Sequence, residues 1–158
     1  MTKEAMLGEI ASMSEFFDRS TRVLDEADSG YAPQPELFTV AQVVAHVAQT
    51  FDWFVTGAFS PEGFSMNFEE HSKQIVAVTS LDHARLWLTR SIAKAKAAVE
   101  EKSEAEWDVP LPPGPIMGGM PRAAIIGALT DHTAHHRGAL TVYSRLLGKV
   151  PPMPYMDM

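Results

Sequence analysis

The chain has 158 residues, none of them cysteine, with 46% hydrophobic and 21% charged residues and a formal net charge of -7. That length suits one domain over residues 1–158 with a sizeable core. The missing cysteines exclude disulfides, iron–sulfur clusters, thiolate zinc sites and cysteine nucleophiles, so nitrogen and oxygen must hold any metal. An acidic balance without a dense Lys/Arg stripe argues against nucleic acid or an anionic membrane as the main partner. The apolar runs are too short to cross a bilayer and the N-terminus has no apolar signal core, so a cytoplasmic location is expected.

Helical periodicity dominates. The first segment, Lys3 to Ala27, puts Met6, Ile10, Met13, Phe16 or Phe17, Thr21 and Leu24 on one stripe, and turn residues from Asp28 to Pro33 end it. A second helix begins near Thr39, which forms a capping box with Gln42. Its apolar face is Val40, Val43, Val44, Val47, Phe51, Phe54 and Val55, and Gly57 with the Ser60–Gly63 turn closes it. Glu69 to Val78 has room for a short helix. Thr79 or Ser80 then caps a third long helix that runs through Leu81, Leu88, Ile92 and Val99.

Residues 110–119 hold four prolines and three glycines, which predicts an ordered loop or irregular hairpin. Pro121 suits the first turn of a fourth helix that ends near Leu147, with Gly148 as its C-cap. Four long amphipathic helices predict an all-α four-helix bundle. The long connections, about 58–79 and 102–120, leave room for crossovers.

The chemistry concentrates in the fourth helix. His132 and His136 are four residues apart, hence on one face, and they continue the apolar stripe of Ile125, Leu129, Leu140, Tyr143 and Leu147. Two imidazoles in core positions need partners. A divalent metal satisfies both, and polar neighbours or water are the alternative. His46, between Val43 and Val47 on the second helix, also faces inward and can complete a set of three. His135 points about a hundred degrees away from His136, where it could line the pocket or carry a proton. His71 and His83 read as solvated.

With these residues assembled, the chain resembles the DinB-like superfamily of four-helix-bundle metalloproteins. The matches are Ala45-His46-Val47 followed by Phe51 and Trp53, the run Asp131-His132 through His135-His136-Arg137-Gly138, and the tail Leu146 to Pro152. The resemblance implies a bundle with a long crossover and a divalent metal, commonly zinc or nickel, held by His46, His132 and His136. It also implies frequent homodimers. Relatives include enzymes that use a low-molecular-weight thiol, among them mycothiol-dependent isomerases and bacillithiol transferases.

Three neutral nitrogen ligands leave a metal with open positions, the arrangement of catalytic sites. Such a metal could activate a low-molecular-weight thiol for transfer to a small electrophile. It could instead supply a hydroxide for hydrolysis, or be structural in a non-enzymatic interaction protein. Asp131, Thr50, Asp52 and Thr133 are expected to orient the imidazoles. Arg137 is a candidate for a substrate carboxylate, or for a salt bridge to Asp131 or Asp52. Trp53 is a candidate core or substrate-contact residue, and Met117 and Met120 on the Pro/Gly loop are adaptable apolar contacts for a small-molecule substrate.

Overall fold

The computed structural model describes residues 1–156, and over these it is all-helical. The long helices are α1 (Lys3–Thr21), α2 (Val40–Phe59), α4 (Leu81–Glu101) and α6 (Ala124–Leu146); α3 (Phe68–Val76) and α5 (Glu104–Asp108) are short. Among the described residues no helix is long and apolar enough to cross a membrane.

Cross-helix contacts fix the order and sense of the four long helices. Glu9 meets Thr130 and Phe16 meets Arg137, so α1 and α6 run parallel. Asp52 meets Trp87 and Thr56 meets Lys94, so α2 and α4 also run parallel. Tyr143 bonds the Phe38 carbonyl and Arg122 the Ala58 carbonyl, which sets α6 antiparallel to α2. Lys3 bonds the Glu100 carbonyl and Arg85 the Thr21 carbonyl, which sets α1 antiparallel to α4. The topology is therefore up-down-down-up.

Parallel neighbours cannot be joined by a short turn, so the connection from α2 to α4 must travel the length of the bundle. It does so through α3, which lies antiparallel along α2: Trp53 contacts Phe68 and His71, and Gln42 bonds the Val76 carbonyl. The second long connection differs from expectation. It stays at one end of the bundle, where α5 and an irregular hairpin join α4 to α6.

Helix ends follow the sequence signals with instructive exceptions. The Thr39–Gln42 capping box forms, and Ser80 rather than Thr79 caps α4. α1 stops at Thr21, short of Ala27, because a separate 3-10 turn at Glu26–Asp28 has its own capping box on Asp25. Arg85 reaches across from α4 to bond the Thr21 and Leu24 carbonyls, satisfying orphan acceptors at the end of α1. α6 starts at Ala124, not Pro121. Pro121 pairs with Pro110 in the hairpin, and the Arg122 and Ala123 N–H groups bond back to Val109 and Trp107. Gly148, at φ 77, ends α6 as its pattern predicts.

The core lies between the four helices. Met6, Ile10, Met13 and Phe17 come from α1, Val40 to Phe54 from α2, Leu81, Leu88 and Val99 from α4, and Ile125, Leu129 and Leu140 from α6. On α1 it is Phe17 that is buried, while Phe16 is only partly covered.

Gly57 does not end α2. It lies inside the helix because the Phe64 ring crosses directly over it: a Cβ there would be 2.3 Å from Phe64 Cδ1. Gly57→Ala should therefore destabilise the fold by roughly 1 kcal/mol, the overpacking cost exceeding the helix-propensity gain. Urea denaturation of the single variants and of Gly57→Ala/Phe64→Ala checks this. Removing the ring should reverse the sign of the glycine substitution, and strict additivity would overturn the account.

Candidate metal centre

The antiparallel pairing of α2 and α6 brings His46 against His132 and His136. On α6 the two imidazoles stack one turn apart, with ring centroids 4.4 Å apart. The His46 ring lies 4.8 Å from that of His132 and 4.7 Å from that of His136. His132 Nε2 is 3.1 Å from both His46 Nε2 and His136 Nε2, and ligand atoms of all three lie within 4.8 Å of one another.

This donor set fits a divalent transition ion. Nitrogens about 2.0–2.1 Å from a tetrahedral metal are roughly 3.3 Å from each other, close to the 3.1 Å seen here. Three imidazoles also match the borderline softness of zinc and nickel.

Burial and mutual repulsion keep the cluster uncharged. Burial lowers His132 from 6.5 to about 4, helped by the nearby His46 and His135. Burial likewise lowers His136 to about 3, helped by His132, His46 and His135. His46 is lowered by burial first and by His135 second. At neutral pH all three are therefore uncharged, each with one ring nitrogen free of a proton.

Packing, more than hydrogen bonding, orients the rings. His46 Nδ1 and His132 Nδ1 are buried and have no partner among the described residues. Thr50 is the one expected orienting residue that reaches the cluster. Its hydroxyl donates to the His46 carbonyl and lies 3.4 Å from His132 Nε2. Asp52 turns instead toward α4, accepting from Trp87 Nε1 and Ser91 Oγ. Thr133 Oγ1 is buried with no hydrogen-bond partner among the described residues, and Asp131 is exposed. The Phe38 ring, 5.7 Å from that of His46, supplies an apolar stop.

A cavity of about 420 Å³ opens beside the histidines, between α2, α3 and α6. His46, Thr50 and His132 form one wall, and Phe38, Phe54, Phe68 and Ile75 form most of the rest. Trp53 lines it and is fixed by an indole N–H bond to the Ser65 carbonyl. His71 lines it too, packed on Trp53 and Phe68. It is therefore not the solvated residue its sequence context suggests. Only the placement of α3 along α2 turns it inward, although its i,i+3 spacing from Phe68 is visible in the sequence.

The other predicted contact residues lie elsewhere. His135 is exposed and touches the cluster only edge-on, 4.8 Å from the His136 ring centroid. Arg137 is turned toward α1 and the tail. Its guanidinium lies over the Phe16 and Tyr155 rings and donates to the Tyr155 hydroxyl, so it neither lines the cavity nor pairs with Asp131 or Asp52. Met117, at φ 51, and Met120 belong to the hairpin, and neither is among the residues lining the cavity.

The DinB family model matches residues 5–158, and the chain belongs to that family. No curated protein matches it. Two solved structures share its fold: the mycothiol-dependent maleylpyruvate isomerase, at a TM-score of 0.70 and 20% identity, and a histidine-to-alanine mutant of that enzyme, at 0.68 and 20%. Each alignment covers 89% of this chain and 61% of the isomerase, so the chain spans less than two thirds of that enzyme's length.

The depressed histidines set a pH dependence for metal-free protein. Below about pH 6.5 the unfolded chain binds protons that the folded imidazoles refuse, so stability falls as pH drops from about 6.5 toward 4. Thermal unfolding in chelator should show a flat Tm above pH 7 and a decline between pH 6.5 and 5. A His132→Gln/His136→Gln variant should show a shallower decline, and equal slopes would remove the imidazoles as the cause.

Proposed function

We propose that this DinB family member is a metal-dependent enzyme that brings a low-molecular-weight thiol to a small electrophile. One observation carries the reading: three neutral imidazoles from two helices converge their Nε2 atoms at the wall of an apolar cavity. His46, His132 and His136 would hold zinc or nickel and leave coordination positions open. The bound ion would supply Lewis acidity, favouring the deprotonated form of a thiol placed against it.

One further fact supports a thiol: two solved structures that share the fold are of a mycothiol-dependent enzyme. The chain has no cysteine, so in this reading the thiol comes with a cosubstrate, which the missing cysteines allow without selecting. The same donors allow hydrolysis through a metal-bound hydroxide, but walls of Phe38, Phe54, Phe68 and Ile75 suit organic reactants better than a water nucleophile. In this reading residues 1–158 act as one domain, as a cytoplasmic homodimer, on a small-molecule substrate.

The chain's own residues then do three things. Trp53 and the phenylalanines exclude water and raise the strength of every charge interaction inside. Thr50 packs against His132 from below and limits where a ligand can sit. His71 is the titratable side chain of the lining outside the triad, so it is placed to take the proton that the thiol releases. The thiol sulfur forms its bond to the electrophilic carbon with the electron pair left by that proton. The electrophile's leaving group, or the electrons of its double bond, take up the displaced pair.

Metal analysis of protein purified without an affinity tag should find about one zinc or nickel per chain, as three ligands to a single ion require. His132→Ala should abolish it while circular dichroism remains helical. Consumption of a bromobimane-type electrophile should depend on both the metal and an added thiol. Metal-free native protein, or turnover indifferent to thiol, would defeat the proposal.

A further inference from the structure

The cavity beside the histidines carries no Asp, Glu, Lys or Arg among its lining residues. Phe38, Trp53, Phe54 and Phe68 give it aromatic walls on several sides, and Ile75 adds an aliphatic one. Thr50 and Ser72 add hydroxyls without charge, and the Thr50 hydroxyl is already committed to the His46 carbonyl. A volume of about 420 Å³ falls within the range of roughly 300–1,000 Å³ common for small-molecule sites.

The wall supplied by α6 is thin. Ala128 stands one turn before His132 on the same helix face, so a single methyl group borders the cavity beside the histidine ligand atoms. Ala128 is half-buried and packs against the core. A larger side chain there would take up the space next to the imidazoles.

Charge stands outside this space, and its sign is negative. Asp52, Glu62 and Glu70 line a second cavity of about 500 Å³, which meets the first along Gln49, Trp53 and His71. Lys94 lies 3.6 Å from Asp52 Oδ1 and offsets that carboxylate. No Lys or Arg lines either cavity.

We infer that the substrate taken up beside the three histidines is an uncharged electrophile bearing an aromatic ring, and that Ala128 sets how large that ring can be. Aromatic walls favour a ring through buried apolar area and edge-to-face contact. A carboxylate in the same space would lose its water and meet no guanidinium or ammonium, which is costly. In the thiol reading the metal's charge is matched by the thiolate, so it is not free to hold a second anion. The inference rests on that reading of the cavity as a substrate site, and it names the substrate class.

Three ketones that carry no leaving group test it by binding alone: methyl 4-acetylbenzoate, 4-acetylbenzoate and acetone. The ester and the acid have the same ring and differ in charge at about pH 7.5, where a carboxyl is ionised. Titrations of native protein are read by calorimetry and by the indole N–H signal of Trp53. The ester should bind roughly tenfold or more tightly than the acid, which must be desolvated as an anion. It should exceed acetone by a similar factor through the buried ring. Ala128→Leu should weaken the ester about tenfold and leave acetone, metal content and Tm close to native. Phe68→Ala, on the exposed helix α3, should weaken the ester several-fold by removing one aromatic wall.

Acid binding as tightly as ester, acetone binding as tightly as ester, or ester affinity indifferent to both Ala128→Leu and Phe68→Ala would each overturn the inference. The same samples are assayed for metal and for thiol-dependent consumption of the bromobimane-type electrophile, which separates the two readings. An ester preference in protein that shows no thiol-dependent turnover defeats thiol transfer alone. Thiol-dependent turnover in protein that does not prefer the ester defeats the substrate class alone.

Discussion

The antiparallel contact between α2 and α6 is the constraint on which the rest depends. It sets His46 against His132 and His136, placing three imidazoles where a bundle would otherwise bury aliphatic side chains. Desolvation disfavours their protonated forms and mutual repulsion adds to it, so the cluster is held uncharged. With His46 Nδ1 and His132 Nδ1 also unpaired, the site is energetically incomplete as protein alone. The three Nε2 atoms are a group that could hold a metal ion.

That contact needs an unusual connection. Because α2 and α4 run parallel, the chain must return along the whole bundle between them, and α3 is the return path. α3 also roofs the cavity, bringing Phe68, His71 and Ile75 to the side facing the histidines. Its packing rests on Trp53, which contacts Phe64, Phe68 and His71 and donates to the Ser65 carbonyl. The topology that joins parallel neighbours thus also encloses the site. The two ends of the bundle have no such role: Arg122, Arg85 and Lys149 tie helix termini and connections together there.

Much of this was legible in the chain. The i,i+4 spacing of His132 and His136 fixes their common face whatever else the protein does, because helical geometry is local. The Thr39–Gln42 box and Gly148 marked helix ends for the same reason. Arg137 shows the limit. It stands beside His136 in sequence, yet a helical residue one position on points about a hundred degrees away, toward Phe16 and Tyr155. His71 and Gln49 show the converse, being ordinary polar residues in sequence that become cavity walls once α3 docks.

The sequence by itself determined an all-α bundle, the helices that carry the histidines and the nitrogen-only donor set, because periodicity, caps and composition act over one or two turns. Only the tertiary structure decided the up-down-down-up order, the meeting of three Nε2 atoms and the two cavities that share Gln49, Trp53 and His71. It also decided the turning of Asp52 and Arg137 away from the site. Those outcomes depend on which helix faces pack together, and packing is set by the shape of the whole core rather than by any local spacing.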